Sequence, residues 1–371
     1  MTASPRFARP SAFVRAAVLA YGALVLVASL YPFSGWRAPA SEVLWARMAE
    51  WPRYYTWSDV ALNVAGYVPL ALLLSLALRA RLSAVAAGSA AVLVCVALSG
   101  GVELLQGFLA SRVTSALDLF CNGVGALLGA WLGLAAGGSW LLDGAPTRWR
   151  RAYLVPGTRA DLVVLLLALW LFTQFNPAPL LFGHGDLRPL SGAAAVPWSA
   201  PLAMASDGAL AALAVLSVAG LCAWVMRGGS QALHATALLV LLALALKSLA
   251  GVVLLHAPNP FGWLAPGAVA GLAVGGLLAR GITRLAPHRA ALAAALASAA
   301  AAALLNATPA NPYFEETAPP GRPGHSRSFA ATAAAVATLW PFAAVAVVLL
   351  GRRRPWRPVE SDAVSTTSTS P

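Results

Sequence analysis

Charge is what this chain has least of. Asp, Glu, Lys and Arg together make up 10% of its 371 residues, where a soluble protein carries about 25%. Lysine is reduced to one residue, Lys247, so nearly all of the +12 net charge is arginine. Those arginines lie in short segments between apolar runs, without interleaved aromatics, which argues for membrane topology and against nucleic acid. Cysteine is scarce too: Cys95, Cys121 and Cys222 all fall inside apolar runs with no C-x-x-C spacing, and read as small buried side chains. The five histidines, His184, His234, His256, His288 and His325, show no H-x-x-x-H or H-E-x-x-H spacing. Neither a metal site nor a cofactor is expected from them. A P-loop, a nucleophile–base dyad and a lipid-phosphatase histidine set are missing as well.

Long apolar runs are what fill the chain, at 59% hydrophobic residues. A membrane span needs about 20 such residues, and ten runs qualify: roughly 13–31, 59–78, 84–109, 117–136, 161–182, 206–226, 233–255, 262–279, 289–306 and 329–350. The expected fold class is therefore all-α, a polytopic transmembrane helix bundle. The first run reads as an uncleaved span, since no small-x-small cleavage site precedes Tyr31-Pro32. With the N-terminus cytoplasmic, 17 arginines fall on inside segments and 7 outside. Both termini are thus expected in the cytoplasm of a plasma-membrane protein. Four regions follow: four spans in 1–136, a basic cytoplasmic linker at 137–160, six spans in 161–357, and a Ser/Thr-rich tail at 358–371 expected to be disordered. Segment 32–57, rich in Trp and Tyr, suits an interfacial helix. Segment 307–328, rich in Pro and Gly, suits an irregular loop.

Residues 57–133 hold a concentration of polar side chains that lipid makes expensive, by about 2.5–3.5 kcal/mol for a central Asp or Lys. They are Asp59, Asn63, Glu103, Gln106, Asp118 and Asn122. Asp59 and Asn63 are spaced i,i+4, as are Asp118 and Asn122, and Glu103 and Gln106 are i,i+3, so each pair shares a helix face. Spans two and four enter from the side on which span three ends, so all six groups are expected near one membrane face. Arg112, in the turn between spans three and four, can swing over them. One arginine against three carboxylates leaves negative charge over, to be met by a proton or a cation. Helix capping is the competing reading for Asp59 and Asp118; it does not account for Glu103 and Gln106 at the end of a helix.

These residues also carry a resemblance. Asn63, Gly66 and Pro69-Leu70, then Glu103-x-x-Gln106, Arg112, and Asp118-x-x-x-Asn122-x-x-Gly125-x-x-x-Gly129 resemble the VanZ-like family of bacterial membrane proteins in order and spacing. Ser115 stands where many relatives carry an acid. The family takes its name from a teicoplanin-resistance protein, so the resemblance implies an envelope-linked integral membrane protein and no particular reaction.

The second half carries a fainter pattern. Ser206-Asp207-x-x-Leu210 echoes Ser58-Asp59-x-x-Leu62, and Gly267, Gly271 and Gly275 echo Gly125, Gly129 and Gly133. A degenerate parallel repeat is one reading; close packing through small residues is the other. Lys247, near mid-span, is expected to pair with a carboxylate such as Asp207 or Glu103, or to bind an anionic headgroup or carry protons. Asp186 and Arg188 beside His184 read as solvated loop charges or as a lid. Three functions stay open. One is an accessory protein binding a lipid-linked or amphiphilic envelope molecule, gripped by Arg112, Asn63, Gln106 and Asn122. Another is a transporter or flippase for such a molecule. The third is an enzyme acting on a lipid phosphate, with Glu103 as base and Asp59 and Asp118 as ligands or stabilisers.

Overall fold

The computed structural model describes residues 12–31, 33–38, 51–52, 54–110, 112, 114–135, 145–176, 178, 180–188, 199–253, 259–309 and 325–352. Every regular element among them is a helix: α1 Ala12–Leu30, α2 Trp57–Leu78, α3 Ala84–Gln106, α4 Ala116–Ala135, α5 Ala145–Tyr153, α6 Thr158–Phe172, α7 Ala200–Val225, α8 Gly229–Val253, α9 Pro266–Ile282, α10 Pro287–Ala307 and α11 His325–Arg352. A 3₁₀ turn, Thr173–Phe175, extends α6. Nine of these are long and apolar enough to cross a bilayer, and α9, with 17 residues, is a shorter apolar helix. This is a multi-pass membrane protein. α5 is the exception, a short helix with Arg150 and Arg151 in its last turn, anchored by an ion pair from Arg150 to Asp161 of α6.

Local chemistry sets the helix starts. Thr56 caps α2 by accepting from Asp59 N (3.2 Å), and Ser83 caps α3 by accepting from Ala86 N (3.3 Å). Pro266 and Pro287 open α9 and α10, where their missing N–H has no cost. Pro201 starts α7 earlier than the expected residue 206. Ser206-Asp207 therefore lies inside α7, whereas Ser58-Asp59 sits in the first turn of α2.

Two helix pairs approach to near backbone contact. On α4, a Cβ at Gly125, Gly129 or Gly133 would overlap Val64 O, Val68 O or Ser75 Oγ of α2. On α9, Gly267 and Gly271 meet Met204 O and Gly208 O of α7 in the same way, and Gly275 meets Ala212. Both halves thus pair their second and fourth spans through a glycine stripe, the small-xxx-small mode of packing. The registers differ. Gly125 faces a residue five beyond Asp59, and Gly267 one three before Asp207, so the two echoes do not align together.

α7 is the hub of the second half. Ser217 hydrogen-bonds Ser298 of α10 (2.6 Å), and Arg159 of α6 lies over the Trp224 ring. α1 abuts α6 and α11, and α2 abuts α11, joining the halves. The segment expected as an interfacial helix is irregular at 33–38, with Phe33 and Gly35 at positive φ; there Arg37 N donates to Phe108 O (2.8 Å) and Trp36 pairs with Leu109. Residues 39–50 lie outside the described residues, as do 137–144, most of the 307–328 connection and the tail.

Candidate functional site

α1 ends, α2 begins, α3 ends and α4 begins at one end of the bundle, and most of the polar residues singled out above gather there. Asn63 Nδ2 donates to Asp118 Oδ1 (2.8 Å), tying α2 to α4. Glu103 Oε2 accepts from Ser115 N (3.0 Å) at the start of α4. The dipole of α3 disfavours an acid in its last turn, and the N-terminus of α4 compensates. Glu103 and Asp118 are both buried.

Gln106 and Arg112 turn toward α1. Gln106 Nε2 donates to Ser29 O (2.8 Å); Arg112 donates to Tyr31 O from Nε (3.2 Å) and to Ala28 O from Nη2 (3.0 Å). Together they cover carbonyls that the end of α1 leaves without helical partners. Arg112 also lies within the fields of Asp118 and Glu103; burial pulls its pKa below the usual value, and the two carboxylates oppose that shift. Asp59 takes the capping role at the head of α2. Its Oδ2 accepts from Thr56 Oγ1 (2.7 Å) while its N–H is held by the same hydroxyl.

One turn deeper lies a second polar layer that sequence reading covered only at Asn122. Asn122 Nδ2 donates to Ser99 Oγ (2.9 Å) across α4 and α3, and Tyr67 of α2 adjoins Ser99. Tyr67 is four residues past Asn63, Ser99 four before Glu103, and Asn122 four past Asp118, so each continues the face above it. That i±4 relation was the available signal; a lone Tyr and Ser in an oily helix attract no notice by themselves. Three further buried oxygens around this site make no hydrogen bond: Asn122 Oδ1, Ser115 Oγ and Thr114 Oγ1. Unpartnered groups at such depth are uncommon and call for an explanation.

Lys247 belongs to a different place. The carboxylate partner expected for it is not found among the described residues. Its ammonium instead donates to backbone carbonyls after the 3₁₀ turn, Ala178 O (2.7 Å) and Asn176 O (3.3 Å). Chain that leaves a helix exposes carbonyls, and at membrane depth a buried cation is a fitting donor for them.

His184, Asp186 and Arg188 are not solvated loop charges. Residues 180–188 turn back into the bundle and lodge between α6, α10 and α11. Pro341 in α11 has no N–H for Ala337 O, four residues earlier, and Gly185 N supplies it (3.0 Å). Gly185 adopts φ +86°, and a Cβ there would come within 2.7 Å of Ala302 Cβ and 2.8 Å of Pro341 Cγ, so only glycine fits. Asn306 clasps the segment, donating to Gly185 O (2.7 Å) and accepting from Leu187 N (2.8 Å). His184 packs by Trp170 and Trp340 with Nε2 2.8 Å from Thr173 Oγ1. Burial, with Lys247 nearby, pushes its pKa down to about 4, against the favourable pull of the Phe182 backbone. Arg188 grips Asp186 through Nε and Nη2 (2.9 and 2.7 Å) and reaches Thr308 O (3.1 Å).

Among the described residues no group of three or more His, Cys, Asp or Glu is placed to hold a metal ion. No curated protein and no solved structure matches the chain. The model of the VanZ/LLP1 family does match, over residues 8–137, the stretch that contains α1 to α4 and both polar layers. The first third of this integral membrane protein is thus similar to the VanZ/LLP1 family.

Proposed function

We propose that the chain binds a lipid-linked or amphiphilic molecule of the bacterial envelope at the polar end of α1–α4, in the outer leaflet of the plasma membrane, with both termini cytoplasmic. The observation that carries this reading is the set of buried oxygens without partners, on Asn122, Ser115 and Thr114. They stand beside two buried carboxylates and one arginine. A purely structural cluster would satisfy its own members; these groups ask for hydrogen bonds from something else. The arginine distribution favours the outer side for this end. A part in tolerance of teicoplanin-type glycopeptides belongs to the same proposal, through the resemblance.

The test uses variants that break no bond of the fold. Thr114→Val and Ser115→Ala each remove a hydroxyl without a partner, so folding is expected to hold. Mass spectrometry of the purified full chain is expected to find a co-purifying amphiphile that is depleted in both variants. Undiminished occupancy in both would contradict the reading.

A transporter or flippase for the same molecule is the second reading. The 3₁₀ end of α6, the segment at 180–188 that turns back into the bundle and buried Lys247 favour it, being features of helices that line transport routes. Movement of a fluorescent envelope lipid across proteoliposomes, driven by a sodium or proton gradient, distinguishes the two.

A further inference from the structure

The basic connection between the two halves folds into a fixed helix with an exposed aromatic and cationic face. α5 has nine residues, too few to hold a helix unaided in water, and its neighbours hold it in place. Arg150 pairs with Asp161 of α6. Val155 N donates to Val225 O (2.8 Å), and Arg227, at the α7–α8 turn, donates from N to Tyr153 O (2.9 Å) and from Nε to Leu154 O (3.1 Å). Leu154 is buried. Trp149 and Tyr153, one turn apart, bring their ring centroids within 5.5 Å and stay 52% and 36% exposed. Arg151 is exposed too, as are Arg227 and Arg284; Arg284 follows Thr283, whose carbonyl packs on Gly229 at the start of α8. None of these three guanidinium groups pairs with a carboxylate among the described residues, and Asp161 is already taken by Arg150.

We propose that this face of α5 docks on anionic lipid headgroups, in the leaflet that faces the cytoplasm in the orientation proposed above. The inference is independent of the site at the polar end of α1–α4. Charge complementarity names the occupant, because grouped guanidiniums attract phosphodiesters and fork onto their oxygens. The aromatic pair sets the depth: Trp and Tyr place their rings at headgroup level and keep their polar tips wet. A short amphipathic helix carrying both features lies in the interface plane. A zwitterionic headgroup would cover the rings and leave the arginines uncompensated, so the preference is for lipid of net negative charge. The bonds to Val225 and Arg227 tie α5 to the end of α7, so lipid held there bears on the α7–α8 turn.

Hydrogen exchange of the full chain in nanodiscs tests it, read on peptides that cover 145–155. Phosphatidylcholine discs are the reference, and discs with rising fractions of phosphatidylglycerol supply the negative charge. Exchange over 145–155 is expected to slow as phosphatidylglycerol rises and to recover on adding salt. Soluble glycerol phosphate, added to phosphatidylcholine discs, should not reproduce the effect. Neither Arg151 nor Trp149 makes a hydrogen bond or ion pair among the described residues, so Arg151→Gln and Trp149→Ala are expected to fold. The fraction of phosphatidylglycerol for half the effect should rise in both, by about fivefold for the lost guanidinium. Equal exchange in the two kinds of disc, an unchanged response in both variants, or protection by glycerol phosphate alone would overturn the inference. Protection that needs two copies of the chain per disc and no phosphatidylglycerol would make the face a contact between copies, and would overturn it too.

Discussion

Replacing Gly129 by alanine tests what holds the site's walls together. A Cβ there would overlap Val68 O of α2 and lie 3.0 Å from both Ala71 Cβ and Leu72 N. Carbon neighbours normally sit about 3.5–4.0 Å apart, and two of the three obstacles are backbone, with no rotamer to swing aside. α4 must therefore retreat from α2 by about 0.5–1 Å. Such a shift stretches the 2.8 Å bond from Asn63 to Asp118 to the edge of the hydrogen-bonding range or past it. Overpacking costs about 1–3 kcal/mol, and the helix gains about 0.5–1 kcal/mol from losing a glycine. The expected net loss of about 1–2 kcal/mol lowers the folded-to-unfolded ratio about 5–30-fold. Gly66→Ala on α2 is the control, because nothing lies within 4 Å of a Cβ there; it should gain the helix term alone. Denaturant titration in mixed micelles reads both. Gly129→Ala as stable as Gly66→Ala would refute the packing argument.

Three more outcomes follow from the second half. Gly185→Ala meets both a left-handed backbone and two close carbons, and should lose about 2–5 kcal/mol by the same titration. His184 has a folded pKa of about 4 against an ordinary 6.5, so the unfolded chain binds more protons between those values. Its contribution, about 3 kcal/mol, is complete above pH 6.5 and is lost as pH falls toward 4. The thermal midpoint should drop across that window, and His184→Gln should flatten the drop. Lys247→Met leaves Ala178 O and Asn176 O without their donor and should lower stability by about 1–3 kcal/mol per abandoned carbonyl. An unchanged midpoint would show that these bonds carry no weight.

Apolar run length made the all-α, multi-pass architecture legible, because lipid allows little else of that composition. The shared faces of Asn63, Glu103 and Asp118 were legible from i,i+3 and i,i+4 spacing combined with alternating span direction. Which group bonds which was not. Gln106 and Arg112 turn to α1 because its last carbonyls need donors, a demand written in a helix end 77 to 84 residues away. The re-entrant segment was hidden for a related reason. A hydropathy window averages His184 into its surroundings, and Pro341 announces an orphaned carbonyl without saying which N–H fills it. Lys247 was read as seeking a carboxylate, whereas the chain leaving the end of α6 had already exposed carbonyls beside it. The Ser-Asp echo failed at Pro201, which starts α7 early and carries Asp207 into the helix interior.

Cross-linking Asn63→Cys to Asp118→Cys, with Cys95, Cys121 and Cys222 replaced, is the most direct measurement of the claim that α2 and α4 meet in one polar site. Side chains whose tips bond at 2.8 Å are expected to be bridged rapidly by a short bifunctional thiol reagent, while a Gly66→Cys control paired with the same partner is not. A pair at 63 and 118 that cross-links no faster than the control would contradict the shared site.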